Sequence, residues 1–170
     1  MKIKLFILAG FSALLSGCVS YCSIPKDYAG SVVEVSDTGI AEGRTKAQFF
    51  VLAEVDGKQV NNSLNATRSR SHGQGFMLTL QYVTHQLPMK PQKVKLLGTH
   101  QTGAPIHEIV SQLRGTFFTV SGEVEFNPQE NHRYIVTGVL KEEGSSIWIE
   151  DANTKERATD VVVSSAEKKK

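Results

Sequence analysis

Short runs in which apolar and polar residues alternate, each closed by turn-forming residues, fill the chain from Ser31 onward. In one of them Phe118, Val120, Val124 and Phe126 share a side with Gly122, while Thr119, Ser121, Glu123 and Glu125 share the other. Side chains in a strand point alternately to opposite faces, so this run reads as a strand with one face on a core and the other in water. Phe76, Leu78, Leu80 and Tyr82 alternate with Met77, Thr79, Gln81 and Val83, which predicts another strand, ended by Pro88 and Pro91. Lys93 to Leu97 repeats the pattern with Val94 and Leu96 inward. So do Tyr134, Val136 and Leu140 around Gly138, and Ile147 and Ile149 around Trp148. Ser31 to Val35 and Lys46 to Val55 are strands, and Thr159 to Val163 is a candidate last strand. Asp56-Gly57, Asn127-Pro128 and Glu143-Gly144 supply turns, the first a tight hairpin. Many short strands at close intervals imply an all-β fold, a β-sandwich of antiparallel strands. Asn61 to Gly75 is polar and reads as a long loop or a weak edge. Ile106, Ile109, Val110 and Leu113 fall at helical spacing after Pro105, so that segment fits one short helix or a strand.

The first residues have a different character. Lys2 and Lys4 precede an apolar run from Leu5 to Leu15, followed by Ser16-Gly17-Cys18. A charged start, an apolar stretch shorter than the roughly 20 residues of a spanning helix, and small residues at its end make a secretory signal peptide. Leu15-Ser16-Gly17-Cys18 resembles the lipobox of bacterial lipoproteins. The resemblance implies that Leu15, Ser16 and Gly17 direct cleavage and that Cys18 becomes the first residue, acylated on its thiol. A thiol is the strongest nucleophile among ordinary side chains, and two or three acyl chains, at about 0.8 kcal/mol per buried methylene, anchor a protein stably. Val19 and Ser20 follow the cysteine where an Asp would imply inner-membrane retention, so the resemblance implies the periplasmic face of the outer membrane. The expected organisation is a signal peptide over 1–17, an anchor and spacer over 18–30, a sandwich over 31–163 and a basic tail over 164–170. Within the body, Val55-Asp56-Gly57, Arg133-Tyr134-Ile135-Val136 and Ile147-Trp148-Ile149-Glu150-Asp151 resemble small sandwich domains of uncharacterised periplasmic lipoproteins. That likeness implies a fold and a location but no activity.

Charge narrows the partners. Without the leader and its two lysines, seventeen basic residues balance seventeen acidic ones, and three of the basic ones are Lys168, Lys169 and Lys170. A neutral chain lacks the basic face that nucleic-acid binding needs, so no nucleic-acid partner is expected. Cys22, the second cysteine, has no intrachain partner if Cys18 carries lipid. His72, His85, His100, His107 and His132 read as scattered loop or strand-end residues, although His100 and His107 could meet across a loop. No metal site and no cofactor are expected, because no ligand set is closely spaced. No catalytic residue is expected either. Ser121-Gly122 lies in a strand without a nucleophile elbow, and the pairs Glu142-Glu143, Glu150-Asp151 and Glu123/Glu125 show no reason for a perturbed pKa. Trp148 faces outward if Ile147 and Ile149 are core, and would then suit a glycan or envelope-protein contact; it is buried if both faces of its sheet are covered. The expected function is a non-enzymatic, lipid-anchored binding or accessory module, with an envelope hydrolase or metal enzyme and a structural envelope subunit as alternatives.

Overall fold

The structure is a computed structural model that describes residues 24, 25, 27–104, 108 and 117–165. Leu15, Ser16, Gly17, Cys18, Cys22, His107 and the lysine tail lie outside the described residues, as does Ile106 to Leu113 apart from Glu108. Among the described residues ten strands form two sheets. The first sheet has the order β10 (Val162–Ser165), β9 (Gly144–Asp151), β8 (Arg133–Val139), β1 (Val32–Ser36), β5 (Thr84–Pro88). The second has the order β2 (Thr38–Ala41), β3 (Lys46–Val55), β6 (Gln92–Thr102), β7 (Thr119–Phe126), and β4 (Lys58–Gln59) also pairs with β3. Every pairing is antiparallel except that of β1 with β8. The all-β sandwich expected from the alternation is the observed fold.

The core forms where the inner faces meet. Val35, Leu87, Tyr134, Val136, Ile147 and Ile149 of the first sheet pack against Phe50, Leu52, Leu96, Val120, Val124 and Phe126 of the second. Phe118 packs at its margin, half-buried. The Phe126 and Tyr134 rings meet edge to face at 5.0 Å, a favoured aromatic geometry. Phe50 presses close to Gly138, where an added Cβ would lie 2.2 Å from the Ser146 carbonyl oxygen and 2.9 Å from the Phe50 ring. The Asp56-Gly57 hairpin forms as its residue types require, with φ of 48° and 74°, the left-handed pair of a tight two-residue turn.

The chain crosses between sheets at Asp37, which separates β1 from β2. Its carboxylate is fully buried and gathers three elements. Oδ1 accepts the Leu52 N–H of β3 at 2.9 Å and lies 3.1 Å from Nε2 of His85 in β5. Oδ2 accepts the Ser63 N–H at 2.8 Å. Ser63 opens the single described helix, α1 (Ser63–Ser71), whose cap is Asn62, accepting from the Asn65 N–H. A carboxylate at a helix N-terminus also opposes the partial positive charge there. His85 is therefore a buried strand residue held by a carboxylate, and not the exposed loop histidine expected.

Two further expectations are corrected. Asn61 to Gly75 holds α1, which an apolar periodicity could not reveal because Leu64 is its one buried large apolar residue. Phe76 to Val83 is not a strand. Its backbone is docked on the helix instead: the N–H groups of Thr79, Gln81 and Val83 donate to the hydroxyls of Ser71, Thr67 and Ser63, all at 2.9 Å. Every second residue of the segment meets every fourth residue of the helix, so the spacing that suggested a strand has a helix as its partner. Leu78 and Leu80 pack over Ala47, Phe49 and Val51 on the outer face of β3, while Phe76 and Tyr82, expected inward, are 61% and 53% exposed.

Removing the Asp37 carboxylate leaves the Leu52 and Ser63 amides and the His85 ring without their buried acceptor. Asp37→Ala is expected to lower the unfolding free energy by about 3–5 kcal/mol. Asp37→Asn, which keeps one acceptor oxygen, is expected to lose less. Urea denaturation of the two variants checks both the size and the order.

Candidate functional site

Because α1 rests on the 79–83 segment, it covers only part of the outer face of the second sheet. A cleft of about 650 Å³ remains between the helix and β6. Small-ligand sites fall at about 300–1,000 Å³. Leu64, Arg68, Ser71 and His72, spaced i, i+4, i+7 and i+8, line it from the helix. Leu97, Thr99 and Gln101, alternate residues of β6, line it from the sheet, and Leu78, Ala104 and Phe117 close its ends.

Two groups in this wall carry unused capacity for interaction. Gln101 is more than nine-tenths buried, yet its Oε1 has no hydrogen-bond partner among the described residues. A buried acceptor left unpaired costs about 1–3 kcal/mol. Arg68 is exposed at the rim and makes no ion pair among the described residues. Glu108 also lines the wall but is engaged within the protein.

Several other polar groups of the cleft are committed, whereas His72 is exposed at its edge. Ser71 Oγ holds the Thr79 amide. His100, the next β6 residue before Gln101, turns to the inner side, where Phe117 and Phe118 flank its ring at 5.6 and 5.8 Å. Its Nδ1 lies 3.1 Å from the Phe118 nitrogen and 3.3 Å from the Phe118 carbonyl oxygen, and its Nε2 lies 3.3 Å from Oε1 of Glu42. Burial, and the Lys46 charge after it, hold His100 below its ordinary pKa against the pull of Glu42. Burial pushes Glu42 upward, but hydrogen bonds from Gln48 and Lys46 outweigh it and keep the carboxyl below its usual range. This histidine is thus a buried, neutral, doubly bonded member of β6, which corrects its reading as a loop residue. Among the described residues no three His, Cys, Asp or Glu side chains group as metal ligands.

Away from the cleft, Asp151 overturns the expectation that the paired carboxylates have unperturbed pKa values. The backbone N–H of Thr154 is the chief cause that draws it from 3.8 to about 2; burial opposes this, and the N–H of Asn153 and the His132 ring assist. Asp151 Oδ1 accepts both amides at 2.8 Å, and Oδ2 lies 2.6 Å from His132 Nδ1, so the carboxylate shapes the turn after β9. Trp148 is half-buried on the outer side of β9, opposite its core neighbours Ile147 and Ile149. Its indole N–H donates to Glu150 at 2.9 Å, and the Arg157 guanidinium lies 5.0 Å over the ring. Ser121 lies on the outer side of β7, with its hydroxyl donating to the Leu96 carbonyl.

Apart from its histidines, no residue of the cleft wall is marked out as a ligand contact by the sequence. Gln101 and Arg68 carry no motif, and their place in one cleft wall depends on a helix that the residue pattern hides. No protein-family model matches the chain, and no curated protein or solved structure matches it.

Asp151 supplies a pH test. Its pKa is lower folded than unfolded, so its stabilising contribution is complete above about pH 4 and is lost as the pH falls from 3.8 towards about 2. The gap in melting temperature between the parent protein and Asp151→Asn is expected to shrink across that window. A constant gap between pH 6 and pH 2 would show that the carboxylate is not held this way.

Proposed function

We infer that the protein is a non-enzymatic binding module of the bacterial cell envelope, anchored through acyl chains on Cys18 at the periplasmic face of the outer membrane. The cleft between α1 and β6 is where it holds a small ligand. One observation carries the binding role: a cleft of ligand size whose wall is largely apolar, with Arg68 at its rim making no ion pair among the described residues. Small-ligand sites are concave and mostly apolar with a few polar groups, which is the make-up of this wall. The non-enzymatic part rests on commitments already described, since the cleft's Ser71 hydroxyl and the His100 ring are engaged in the protein's own bonds. Anchoring rests on the lipobox-like Leu15-Ser16-Gly17-Cys18. Among the described residues no helix is long and apolar enough to cross a membrane.

Two measurements test this reading. Metabolic labelling with a fatty-acid analogue should mark the parent protein and not Cys18→Ser, because a hydroxyl cannot replace the thiol in the transfer; label on the Ser variant sinks the anchor. Phenol, a small apolar probe with one hydroxyl donor, should shift the amide resonances of Leu97, Thr99 and Gln101 saturably at millimolar concentration. Shifts scattered over the surface, or none, would remove the cleft as a binding site.

A further inference from the structure

The two long walls of the cleft run in the same direction. Asp37 ties the start of α1 to Leu52, which pairs with Leu96 in the middle of β6. Beyond the other end of the helix, the Phe76 carbonyl lies against Gly103, just past the end of β6. Both walls also change character in the same direction. Along the helix, Leu64 is followed one turn later by Arg68 and one turn after that by His72, with successive Cβ atoms about 5–6 Å apart. Along the strand, Leu97 is followed by Thr99 and then Gln101. Leu64 and Leu97 join one apolar cluster on the outer face of the sheet. Arg68 and His72 are exposed and make no ion pair among the described residues. Glu108, the acid among the described wall residues, is engaged within the protein.

A wall that is leucine at one end and cationic at the other restricts what it can hold. A sugar sets hydroxyls against the leucines. A cationic ligand meets Arg68, and a neutral hydrocarbon gains nothing from it. An unbranched chain with an anionic head suits both ends. Because it turns about each methylene, it needs no fixed distance between the contacts of its head and its tail.

Resting on the reading of the cleft as a binding site, we propose that the ligand is a straight-chain aliphatic anion, of which a fatty carboxylate is the simplest. Its hydrocarbon chain lies between Leu64 and Leu97, and its head is held at Arg68 beside His72. An arginine fork matches a carboxylate in two parallel bonds. Recognition of this kind depends on chain length and on the sign of the head, and is indifferent to any other functional group.

The probes are hexanoate, octanoate and decanoate, with decanol and decyltrimethylammonium as analogues lacking the anion. The amide shifts of Leu97 and Thr99 give their affinities for the full protein in phosphatidylcholine nanodiscs. Dialysis fixes the free concentration of each probe, so uptake by the lipid does not enter. Affinity is expected to rise up to about fourfold with each methylene from hexanoate to decanoate. Decanol is expected to bind about three- to fivefold more weakly than decanoate, as for an exposed ion pair, and decyltrimethylammonium more weakly again. Arg68→Gln should bring decanoate down to the level of decanol, leave decanol unchanged and keep the dependence on chain length. A general structural effect of the substitution would weaken both probes alike. If phenol enters the cleft but affinity does not rise with chain length, or Arg68→Gln does not separate decanoate from decanol, the assignment is wrong and the cleft remains a binding site. If neither phenol nor decanoate shifts these amides, both proposals fall.

Discussion

The arrangement depends on one buried carboxylate. A sandwich needs some point at which the chain leaves one sheet for the other, and the backbone there loses its ladder partners. Asp37 is the first such point along the chain. Its two oxygens take up the amide of Leu52, the amide that opens α1 and the ring of His85, so the crossing, the central strand of the second sheet, the helix and the edge strand β5 are fixed by one group. The bulge in β3 between Leu52 and Glu54 lies where the Leu52 amide turns to this carboxylate. A β-bulge adds local twist and re-aims the strand. The position of α1 over the sheet is therefore set at its N-terminus, before any side chain of the helix meets the sheet.

Further along the helix, hydroxyl groups extend this constraint. With so little apolar surface, α1 could not hold its place by burial alone. It is held by three hydroxyls, Ser63, Thr67 and Ser71, which accept the alternate amides of an extended segment. The segment in turn packs Leu78 and Leu80 on the sheet. The helix thus stands on an intermediate layer along one side and is open along the other. The cleft is the space left by that one-sided support, and its helical wall runs beside the hydroxyl ladder and shares Ser71 with it.

The sandwich core was legible because its signal is periodic and local. Val120, Val124 and Phe126, then Tyr134 and Val136, then Ile147 and Ile149, each state their own facing, and Asp56-Gly57 states its own turn. Phe76 to Val83 shows the limit of the same signal. Alternation reports an extended backbone but not what pairs with it, and here the partner is a helix built from residues that look like a loop. Ser63-Leu64-Asn65-Ala66-Thr67-Arg68 has the composition of a linker, since its buried face is made of hydroxyls. The histidines misled for a related reason. A buried histidine in a strand looks like an exposed one until its carboxylate is known, and Asp37 and Glu42 lie 48 and 58 residues away from His85 and His100. Gln101 could not be picked out at all, because the property that matters is the absence of a partner, which only packing reveals.

An orphaned carbonyl is not by itself a site, and the protein contains the comparison that shows why. Gln92 Oε1 is also buried and unpartnered among the described residues. Gln92, however, uses its amide nitrogen to hold the Pro88 carbonyl, at a place outside the cleft wall. Its role is to join β6 to the end of β5, and the idle oxygen is the residue of that task. Gln101 lies at the other end of the same strand and lines the cleft, as does Arg68, a cation without an ion pair among the described residues. The two glutamines carry the same local penalty in different surroundings. In one, the penalty accompanies a structural bond already made; in the other, it is carried by an enclosed oxygen of a residue that lines the cleft. Each orphan is thus a packing cost within β6, and what the cleft turns to solvent is its apolar wall and the cation at its rim.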